Sequence, residues 1–458
     1  MQNLVVKKYG GTSAATAHSF RLMSTQVETA IKGGESPVVV VSAPGKVNDR
    51  NDPEKILPRD LPKVTDLLIK LAANPSEENI AQLERRFRVI EEGLNLGANV
   101  NEAEYREKIA QRTSLNRGVN PVAALGEEWN AYLLARHLRA IGINAQFIDP
   151  TEAGLVFEKR NGVNEVNESL YPIIRRTIEA LVSEGVVPVI PGFYSRDAQG
   201  NVDVFNRGGS DKSAAIIAAA IGARFDMYTD IDGIKVVEPE IAKNAPKIER
   251  MSARALSELT LGGAFGVVMH EATIPLLRRG VTMRVLDTFD SNGSGTLVLP
   301  TVDANEREIT GIVARGDYHQ ITVRSARSAN VQAYIARVAG EFAAAGISIE
   351  GVSSSVNETT VLVKAASMKD ARIASNELCQ RLSAEFDTDV PVTERRGNLV
   401  ALVGEGVNTG TMRRVFGALD RAHLEPQSFQ KQGITTILEF VNGAAKDAAQ
   451  AIYREFFE

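Results

Sequence analysis

The sequence is poor in the residues that build disulfide or metal frameworks. Its 458 residues include one cysteine, Cys379, and five histidines. One cysteine excludes a disulfide framework and a cysteine-based zinc site, and it is typical of a reducing compartment. The histidines are scattered, so the sequence predicts no metal ion held by protein side chains.

Long hydrophobic runs and an excess of positive charge are also lacking. No apolar run approaches the roughly 18–20 residues that a membrane-spanning helix needs. With 52 Lys and Arg against 57 Asp and Glu, the net charge is -5, which excludes a strongly basic nucleic-acid-binding surface. The opening residues MQNLVVKKYGG lack the basic region and long apolar core of a signal peptide. We therefore expect a cytoplasmic protein without nucleic-acid or membrane partners.

Strand and helix patterns alternate through the first three hundred residues. The pattern predicts helices between buried strands at LVVKKY (4–9), PVVVVSA (37–43), VVPVI (186–190), FDMYTD (225–230) and TMRVLD (282–287). Such alternation predicts an α/β fold with a mostly parallel sheet sandwiched by helices. The segment 46–62, which is rich in proline and charge, is expected to be an excursion or lid.

The pattern changes after about residue 305, where a strand–helix–strand–strand–helix sequence occurs twice. The first copy runs from QITVRSA to KDARIASNELCQRLSAEF, and the second from NLVALVGEG to KDAAQAIYREFF. Two copies in tandem predict a pair of small ferredoxin-like domains.

Four loops with small residues follow predicted strands or open helices. They are KKYGGTS (7–13), SAPGK (42–46), RGGSD (207–211) and TDIDGIKVVEP (229–239). The carboxyl ends of parallel strands meet in one crevice, and exposed backbone amides there suit an anion. The spacing matches neither the Walker loop nor the dinucleotide fingerprint. The four loops together predict a site for a phosphorylated ligand.

These motifs, with LGEEWNAYLLA (125–135) and PGFYSRDAQGNVDVFNRGGSD (191–211), resemble in order those of the aspartate kinases in the amino acid kinase superfamily. The C-terminal repeat is similar to their paired ACT domains. The resemblance implies a kinase domain over 1–300, a first ACT domain over 310–390 and a second over 396–458. Each ACT domain is expected to have the βαββαβ pattern.

The resemblance implies transfer of the γ-phosphoryl group of ATP to the side-chain carboxylate of L-aspartate, with Mg²⁺ held through the phosphates. Lys8 and Asp211 would be catalytic. Arg207 would bind the α-carboxylate and Glu127 the α-ammonium, with Ser42, Asn48 and Ser210 also binding substrate. The nucleotide-binding residues would be Lys8, Gly10, Gly11, Thr229, Asp230 and Lys235. From the residues alone, Asp211 and Ser210 could be only helix caps, and Glu127 only a favourable charge at a helix start.

The sequence departs from the family pattern near the nucleotide. Asn48 replaces a threonine that usually contacts substrate, and Glu240 replaces an arginine that contacts ATP. Val267 lies where a phosphate-binding lysine is expected. Three lysines nearby in sequence could replace the missing cations, namely Lys212, Lys235 and Lys243.

Three alternatives follow from these matches and departures. The retained groups favour an active aspartate kinase that serves amino-acid biosynthesis. The missing cations favour a non-catalytic amino-acid sensor. Asn48, and Asn206 in place of the glycine that usually precedes RGGSD in the family, leave open a kinase for another amino acid. The ACT pair implies a homodimer or larger assembly through residues 310–458. It also implies an effector such as lysine or threonine, which the departure SSSVNE (353–358) leaves open.

Overall fold

The computed structural model describes the chain in fourteen stretches: residues 3–59, 61–74, 76–97, 102–114, 118–160, 162–205, 208–260, 266–303, 307–324, 331–354, 358–370, 375–386, 392–441 and 443–458. They form two compact units. The first comprises Met1–Lys235 and Lys247–Asp303, and the second comprises Val236–Pro246 and Ala304–Glu458. Across the described part of the chain, every helix is too short or too polar to cross a lipid bilayer.

The first unit alternates strands and helices. In chain order it contains β1 (Leu4–Tyr9), α1 (Ala17–Lys32), β2 (Ser36–Val41), α2 (Val64–Ala73), α3 (Glu77–Gly93), α4 (Glu102–Ser114), α5 (Asn120–Ala123), α6 (Leu125–Ala140), β3 (Ala145–Phe147), β4 (Val156–Arg160), β5 (Val163–Val166), α7 (Tyr171–Ser183), β6 (Val187–Pro191), β7 (Tyr194–Asp197), β8 (Val202–Val204), α8 (Gly209–Ile221), β9 (Arg224–Thr229), β10 (Arg250–Ser252), α9 (Ala253–Thr260), α10 (His270–Arg279), β11 (Met283–Asp287) and β12 (Thr296–Leu299).

Eight of these strands form one sheet in the order β10-β12-β11-β9-β1-β2-β6-β3. All neighbours pair in parallel except β11 and β12. The central strands are buried on both faces, and β2 is almost entirely valine, because β-branched side chains suit a pleated surface that helices cover. The predicted mostly parallel sheet is confirmed, and each of the five predicted strands is present.

A second sheet in this unit was not predicted. It has four short strands in the order β5-β4-β7-β8. Its strands are only three to five residues long, and strands such as VFEKR and YSRD do not alternate polar with apolar residues, so they give only a weak periodic signal. The sheet matters for the site because β7 and β8 flank the loop before α8.

A row of charges crosses three strands of the large sheet. Lys7 and Arg284 are the register partners of Asp226 in the neighbouring strands. Arg284 donates two hydrogen bonds to the Asp226 carboxylate, at 2.8 and 2.5 Å. Burial acts to raise the pKa of Asp226, but these bonds and those from Arg224 hold it below its usual value. Successive side chains of a strand point to opposite faces of the sheet. Because the Lys7 side chain belongs to this row, the Lys8 side chain points to the other face.

The second unit contains the predicted repeat. Its elements are β13 (Gly311–Arg324), α11 (Val331–Ala344), β14 (Ile349–Ser354), β15 (Glu358–Lys364), α12 (Ala365–Asp370), α13 (Ser375–Phe386), β16 (Thr393–Val403), α14 (Thr409–Arg421), β17 (Ser428–Gln432), β18 (Thr435–Val441) and α15 (Ala445–Phe457).

The two repeats share one antiparallel sheet of six strands, in the order β14-β15-β13-β16-β18-β17. Strand β16 pairs with β13 along two stretches, and a register shift between Arg315 and Tyr318 separates them. Each repeat therefore completes its ferredoxin-like sheet with a strand of the other repeat. This sharing gives each repeat the fourth strand that its own sequence pattern lacks.

The second unit also includes Val236–Pro246, a segment that begins within the fourth predicted loop. The Ile312 amide donates a 2.7 Å hydrogen bond to the Val236 carbonyl oxygen. Glu240, expected at the position of an ATP-contacting arginine, instead accepts a 2.7 Å bond from Lys446 of α15. In this structure Glu240 therefore forms its ion pair within the second unit.

Candidate active site

A cavity of about 620 Å³ opens at the carboxyl ends of β1, β2 and β9 in the first unit. Nine of the predicted site residues line it: Lys8, Gly10, Gly11, Ser42, Glu127, Ser210, Asp211, Thr229 and Asp230. Asn48 and Lys235 do not line it, and Arg207 lies outside the described residues. Three of the four predicted loops, and the start of the fourth, therefore meet at one site.

Lys8 and Asp211 form an ion pair at the floor of this cavity. The Lys8 Nζ lies 2.5 Å from Asp211 Oδ1, and each side chain is less than a tenth exposed. The other carboxylate oxygen of Asp211 accepts a 3.4 Å hydrogen bond from the Met269 amide. Burial limits screening by water, so this pair fixes the direction in which the lysine side chain points.

Asp211 reaches Lys8 because of the turn that opens α8. Gly208 has φ of 80° and precedes the first helical residue, and no side chain caps the helix. A Cβ on Gly208 would also lie 1.9 Å from the Met269 side chain, so only glycine fits. Asp211 lies in the first turn with its carboxylate on Lys8, which removes the alternative that Asp211 is only a helix cap.

The two glycines after β1 have different roles. The amide of Gly10 donates to the Tyr228 carbonyl oxygen at 3.2 Å. This amide is therefore not directed at a ligand, although the sequence predicted that it would be. Gly11 packs closely against the second loop, because a Cβ on Gly45 would lie 2.6 Å from the Gly11 carbonyl carbon. The first glycine therefore binds β9 through its amide, and the second lets the loops pack.

Burial makes the carboxyl group of Glu127 hard to ionise. Glu127 lies in the first turn of α6 and is 5% exposed. Burial raises its pKa to about 8, against smaller opposing effects of backbone hydrogen bonds and Lys8. Its Oε2 atom is buried and has no hydrogen-bond partner. An unpartnered carboxylate oxygen in a cavity is suited to an incoming cation such as an ammonium group.

Gly126 explains why Glu127 can approach the second loop. A Cβ at position 126 would lie 2.8 Å from the Ala43 Cβ, so α6 packs directly against the loop after β2. The same loop is fixed by Asn130, whose Nδ2 donates a 2.6 Å bond to the Ser42 carbonyl oxygen. Ser42 therefore has a rigid backbone position beside Glu127.

The structure does not bring Asn48 to the cavity. Its Oδ1 accepts hydrogen bonds from the amides of Arg50 and Asn51 and so closes a local turn. Thr65 and Asp66, in the first turn of α2, line the cavity instead. Residues 63–66 read KVTD, against KVND at residues 46–49, so Thr65 supplies the threonine that Asn48 replaces at the earlier position. The excursion of residues 46–62 had displaced the matching residues along the chain.

That excursion is tied down rather than free. Asn51 is fully buried, and its Nδ2 donates to the carbonyl oxygens of Thr12 and Lys46 at 3.0 and 2.8 Å. Arg50 donates to the Asp230 carbonyl oxygen at 2.6 Å and to Asp287 at 2.7 Å. These contacts cross the first and fourth predicted loops, so the interpretation as a lid is not favoured.

The substitute cations expected from sequence are occupied elsewhere. Lys235 pairs with Asp232 at 2.9 Å. Lys212 donates to the Asn164 carbonyl oxygen at 3.4 Å and lies over the Phe205 ring. Lys243 belongs to the second unit. Val267 does line the cavity, so the missing lysine leaves an apolar side chain there.

Sequence reasoning missed several lining residues. They are Thr65 and Asp66, the lysines Lys46 and Lys63, and Phe193. Phe193 has φ of 72°, a conformation that bulky residues rarely adopt and that often marks functional sites. Its only sequence signal was membership of the PGFYSRD motif.

The cavity suits a nucleotide. Its volume lies within the roughly 300–1,000 Å³ range of ligand pockets. Three lysines line it, Lys8, Lys46 and Lys63. Within the described stretches, no three His, Cys, Asp or Glu side chains are grouped so that they could hold a metal ion. Lys8, Thr229 and Asp230 could hold the phosphates and ribose of such a ligand.

An ion-paired lysine near the end of the first strand, beside glycine loops of a parallel sheet, defines a phosphate-handling α/β protein. The chain belongs to the amino acid kinase family, which it matches over residues 3–287. Among its relatives is aspartokinase 3 of Bacillus subtilis, 26% identical over 99% of this chain and 98% of that protein.

Solved structures are similar over the same extent. Aspartate kinase of Clostridium acetobutylicum has a TM-score of 0.79 and 24% identity, covering 99% of this chain and 100% of that one. Aspartokinase III of E. coli, in complex with aspartate and ADP, has a TM-score of 0.76 and 22% identity at the same coverage. Its complex with lysine and aspartate has a TM-score of 0.72 and 22% identity, covering all of both chains. The resemblance of the sequence motifs to this group of proteins is confirmed.

The raised pKa of Glu127 predicts a pH-dependent gain from its replacement. Wild type gains stability from the neutral carboxyl below the unfolded-state pKa, and loses it as the pH rises from about 4.5 to about 8. Glu127→Gln removes this loss. We therefore expect the Tm of Glu127→Gln minus that of wild type to increase from pH 5 to pH 8.5, measured by calorimetry.

Glu92→Gln, which changes an exposed carboxyl on α3, is the matched control and should show no such trend. A difference in Tm between Glu127→Gln and wild type that stays constant or shrinks with rising pH would contradict the assignment of Glu127 as a desolvated carboxyl.

Proposed function

We propose that the protein transfers the γ-phosphoryl group of ATP to the side-chain carboxylate of L-aspartate, which gives 4-phospho-L-aspartate and ADP. The observation that carries the proposal is the buried Lys8–Asp211 pair in the same cavity as the unpartnered Oε2 atom of Glu127. A fixed cation and a carboxylate that needs a cation suit one anionic and one ammonium-bearing ligand.

The reaction brings two anions together, so the protein contributes mainly positioning and charge compensation. A side-chain carboxylate oxygen of aspartate attacks the γ-phosphorus, and the bond from that phosphorus to the β,γ-bridging oxygen breaks. Lys8, held by Asp211, offsets the negative charge of the attacking carboxylate and the phosphoryl group. When Mg²⁺ is bound through the phosphates, it neutralises charge on the departing ADP.

The amino-acid end is proposed to be bound by groups from α6, from α2, from the loop after β2 and from the start of α8. The Glu127 carboxylate pairs with the α-ammonium, and ionises as it does so because a cation replaces the apolar surroundings. Ser42 and Thr65 contribute hydroxyl groups. Ser210 lies beside Asp211, and Arg207 as the next charged residue before α8 is proposed to bind the α-carboxylate through its planar fork.

Similarity to aspartokinases from bacteria supports aspartate as the acceptor and a biosynthetic role. We place the reaction at the start of aspartate-derived amino-acid synthesis in the cytoplasm. The catalytic residues lie in the first unit, and the proposed domain boundaries are 1–300, 310–390 and 396–458.

Regulation is assigned to the second unit. The E. coli aspartokinase III structure with lysine and aspartate supports an amino-acid effector such as lysine or threonine. Strands β14 and β17 are the outer strands of the six-stranded sheet, so within the described part of the chain each has one edge without a strand partner. Open edges favour pairing with another chain, and we propose a homodimer or larger assembly through residues 310–458.

The catalytic proposal predicts a large effect of Lys8→Ala. Because the lysine charge is needed most in the transition state, turnover should fall by about 10³-fold or more. The assay traps the acyl phosphate with hydroxylamine, and circular dichroism confirms that the fold is retained. Lys70→Gln, which changes an exposed lysine on α2, is the control.

The same assay across aspartate, glutamate and other amino acids identifies the acceptor. Hydroxamate formed with another amino acid but not with aspartate would contradict the substrate. No hydroxamate with any amino acid, despite binding of ATP, would favour the sensor hypothesis.

The regulatory proposal predicts that lysine or threonine binds the protein with a measurable enthalpy and changes the aspartate kinase rate. An effector shifts activity only as far as its affinity differs between the states. Titration calorimetry and light scattering measure binding and mass. A monomer that binds neither amino acid would refute both parts of this assignment.

A further inference from the structure

We infer that Lys46 and Lys63 supply the positive charge that holds the γ-phosphoryl group of ATP, in place of the two cations that this sequence lacks. The inference rests on the proposed function, because it assigns these residues a role in the same transfer. It assigns a chemical task to two side chains that sequence reasoning did not select.

The charges that line the cavity show why further positive charge is needed to bind ATP. The lining carboxylates besides Glu127 are Asp66, Asp211 and Asp230. The Lys8 charge is already paired with Asp211. A triphosphate and an aspartate would therefore enter a site whose described lining, apart from Lys46 and Lys63, has more negative than positive charge, and Coulomb repulsion would oppose binding.

Lys46 is placed beside the first glycine loop. The amide of its neighbour Gly45 donates a 2.8 Å hydrogen bond to the Gly11 carbonyl oxygen. The Gly45 carbonyl oxygen in turn accepts a 2.7 Å bond from the buried Arg86 guanidinium. The two loops are thus joined through their backbones, and Lys46, the residue after Gly45, lines the same cavity as Gly10 and Lys8.

Lys63, at the other end of the excursion, lines the same cavity. It precedes α2, and the amide of the next residue, Val64, donates a 3.1 Å bond to the Pro44 carbonyl oxygen. The excursion of residues 46–62 therefore begins and ends at neighbouring points on the loop after β2. Lys46 and Lys63, at its two ends, therefore line one cavity.

The ends of the excursion are fixed, so that both lysines can act without a closing motion. Asn51 links Lys46 to the first loop through the carbonyl oxygens of Lys46 and Thr12. Neither lysine forms an ion pair with a residue that the structure describes. Two unpaired ammonium groups on fixed backbone beside a glycine loop suit the oxygens of a terminal phosphate.

The experiment uses the full chain with Lys46→Gln, Lys63→Gln and the double variant. Lys55→Gln and Lys70→Gln are the controls, since these lysines are exposed and do not line the cavity. Affinities for ATP and ADP are measured by displacement of a fluorescent nucleotide, and steady-state kinetics give kcat and both KM values. Lys63→Arg tests rescue by a cation of different shape.

We expect each single variant to lower kcat/KM for ATP about tenfold and the double variant about a hundredfold, as for loss of charged hydrogen bonds. The ratio of ATP to ADP affinity should fall in the same variants, because ADP lacks the γ-phosphate. KM for aspartate should change less than about twofold, and Lys63→Arg should recover part of the loss.

A double variant that matches the controls would overturn the inference, and so would a rise in KM for aspartate larger than that for ATP. Failure of the proposed function is seen separately, as a wild-type protein that makes no acyl phosphate from aspartate. The ratio of ATP to ADP affinity would then still test the two lysines.

Discussion

The ion pair between Lys8 and Asp211 is the constraint on which the rest of the site depends. It joins the end of the central strand β1 to the first turn of α8 at 2.5 Å, in a place that water hardly reaches. Burying two charges is costly unless their geometry is fixed. The register of β1 with β9, the left-handed Gly208 and the close packing of Met269 all serve that geometry. A lysine held this way needs little reorganisation when negative charge develops beside it.

The remaining loops are arranged around this pair by backbone contacts more than by side chains. Gly11 and Gly45 pack without room for a Cβ, and Gly126 lets α6 approach Ala43. These contacts bring Glu127, the lysines of the excursion and Lys8 to one cavity. The glycines in the motifs therefore serve loop packing as well as ligand access. The result is a site assembled before ligands arrive, which suits a reaction that depends on positioning.

The resemblance of the motifs to aspartate kinases supplied nine lining residues, and local pattern was enough to predict the buried strands and the helices of both repeats. It failed where distant pairing decides the outcome. Asn48 was chosen because sequence spacing does not show that residues 46–62 leave the site and return at Thr65. The strand shared between the repeats was missed because periodicity counts strands without showing their partners. Glu240 could not be assigned from its motif, since its contact with Lys446 spans 206 residues of sequence.

The central claim is that a carboxylate oxygen of aspartate attacks the γ-phosphorus in this cavity, and oxygen isotopes test it most directly. The protein is given ATP and aspartate carrying ¹⁸O in its side-chain carboxylate, with hydroxylamine present. Hydroxylamine attacks the carbonyl carbon, so the bridging oxygen leaves with the phosphate. Mass spectrometry of the released phosphate should show one ¹⁸O atom per phosphate. Phosphate released without ¹⁸O would mean that water or another group attacks ATP, and would contradict the account.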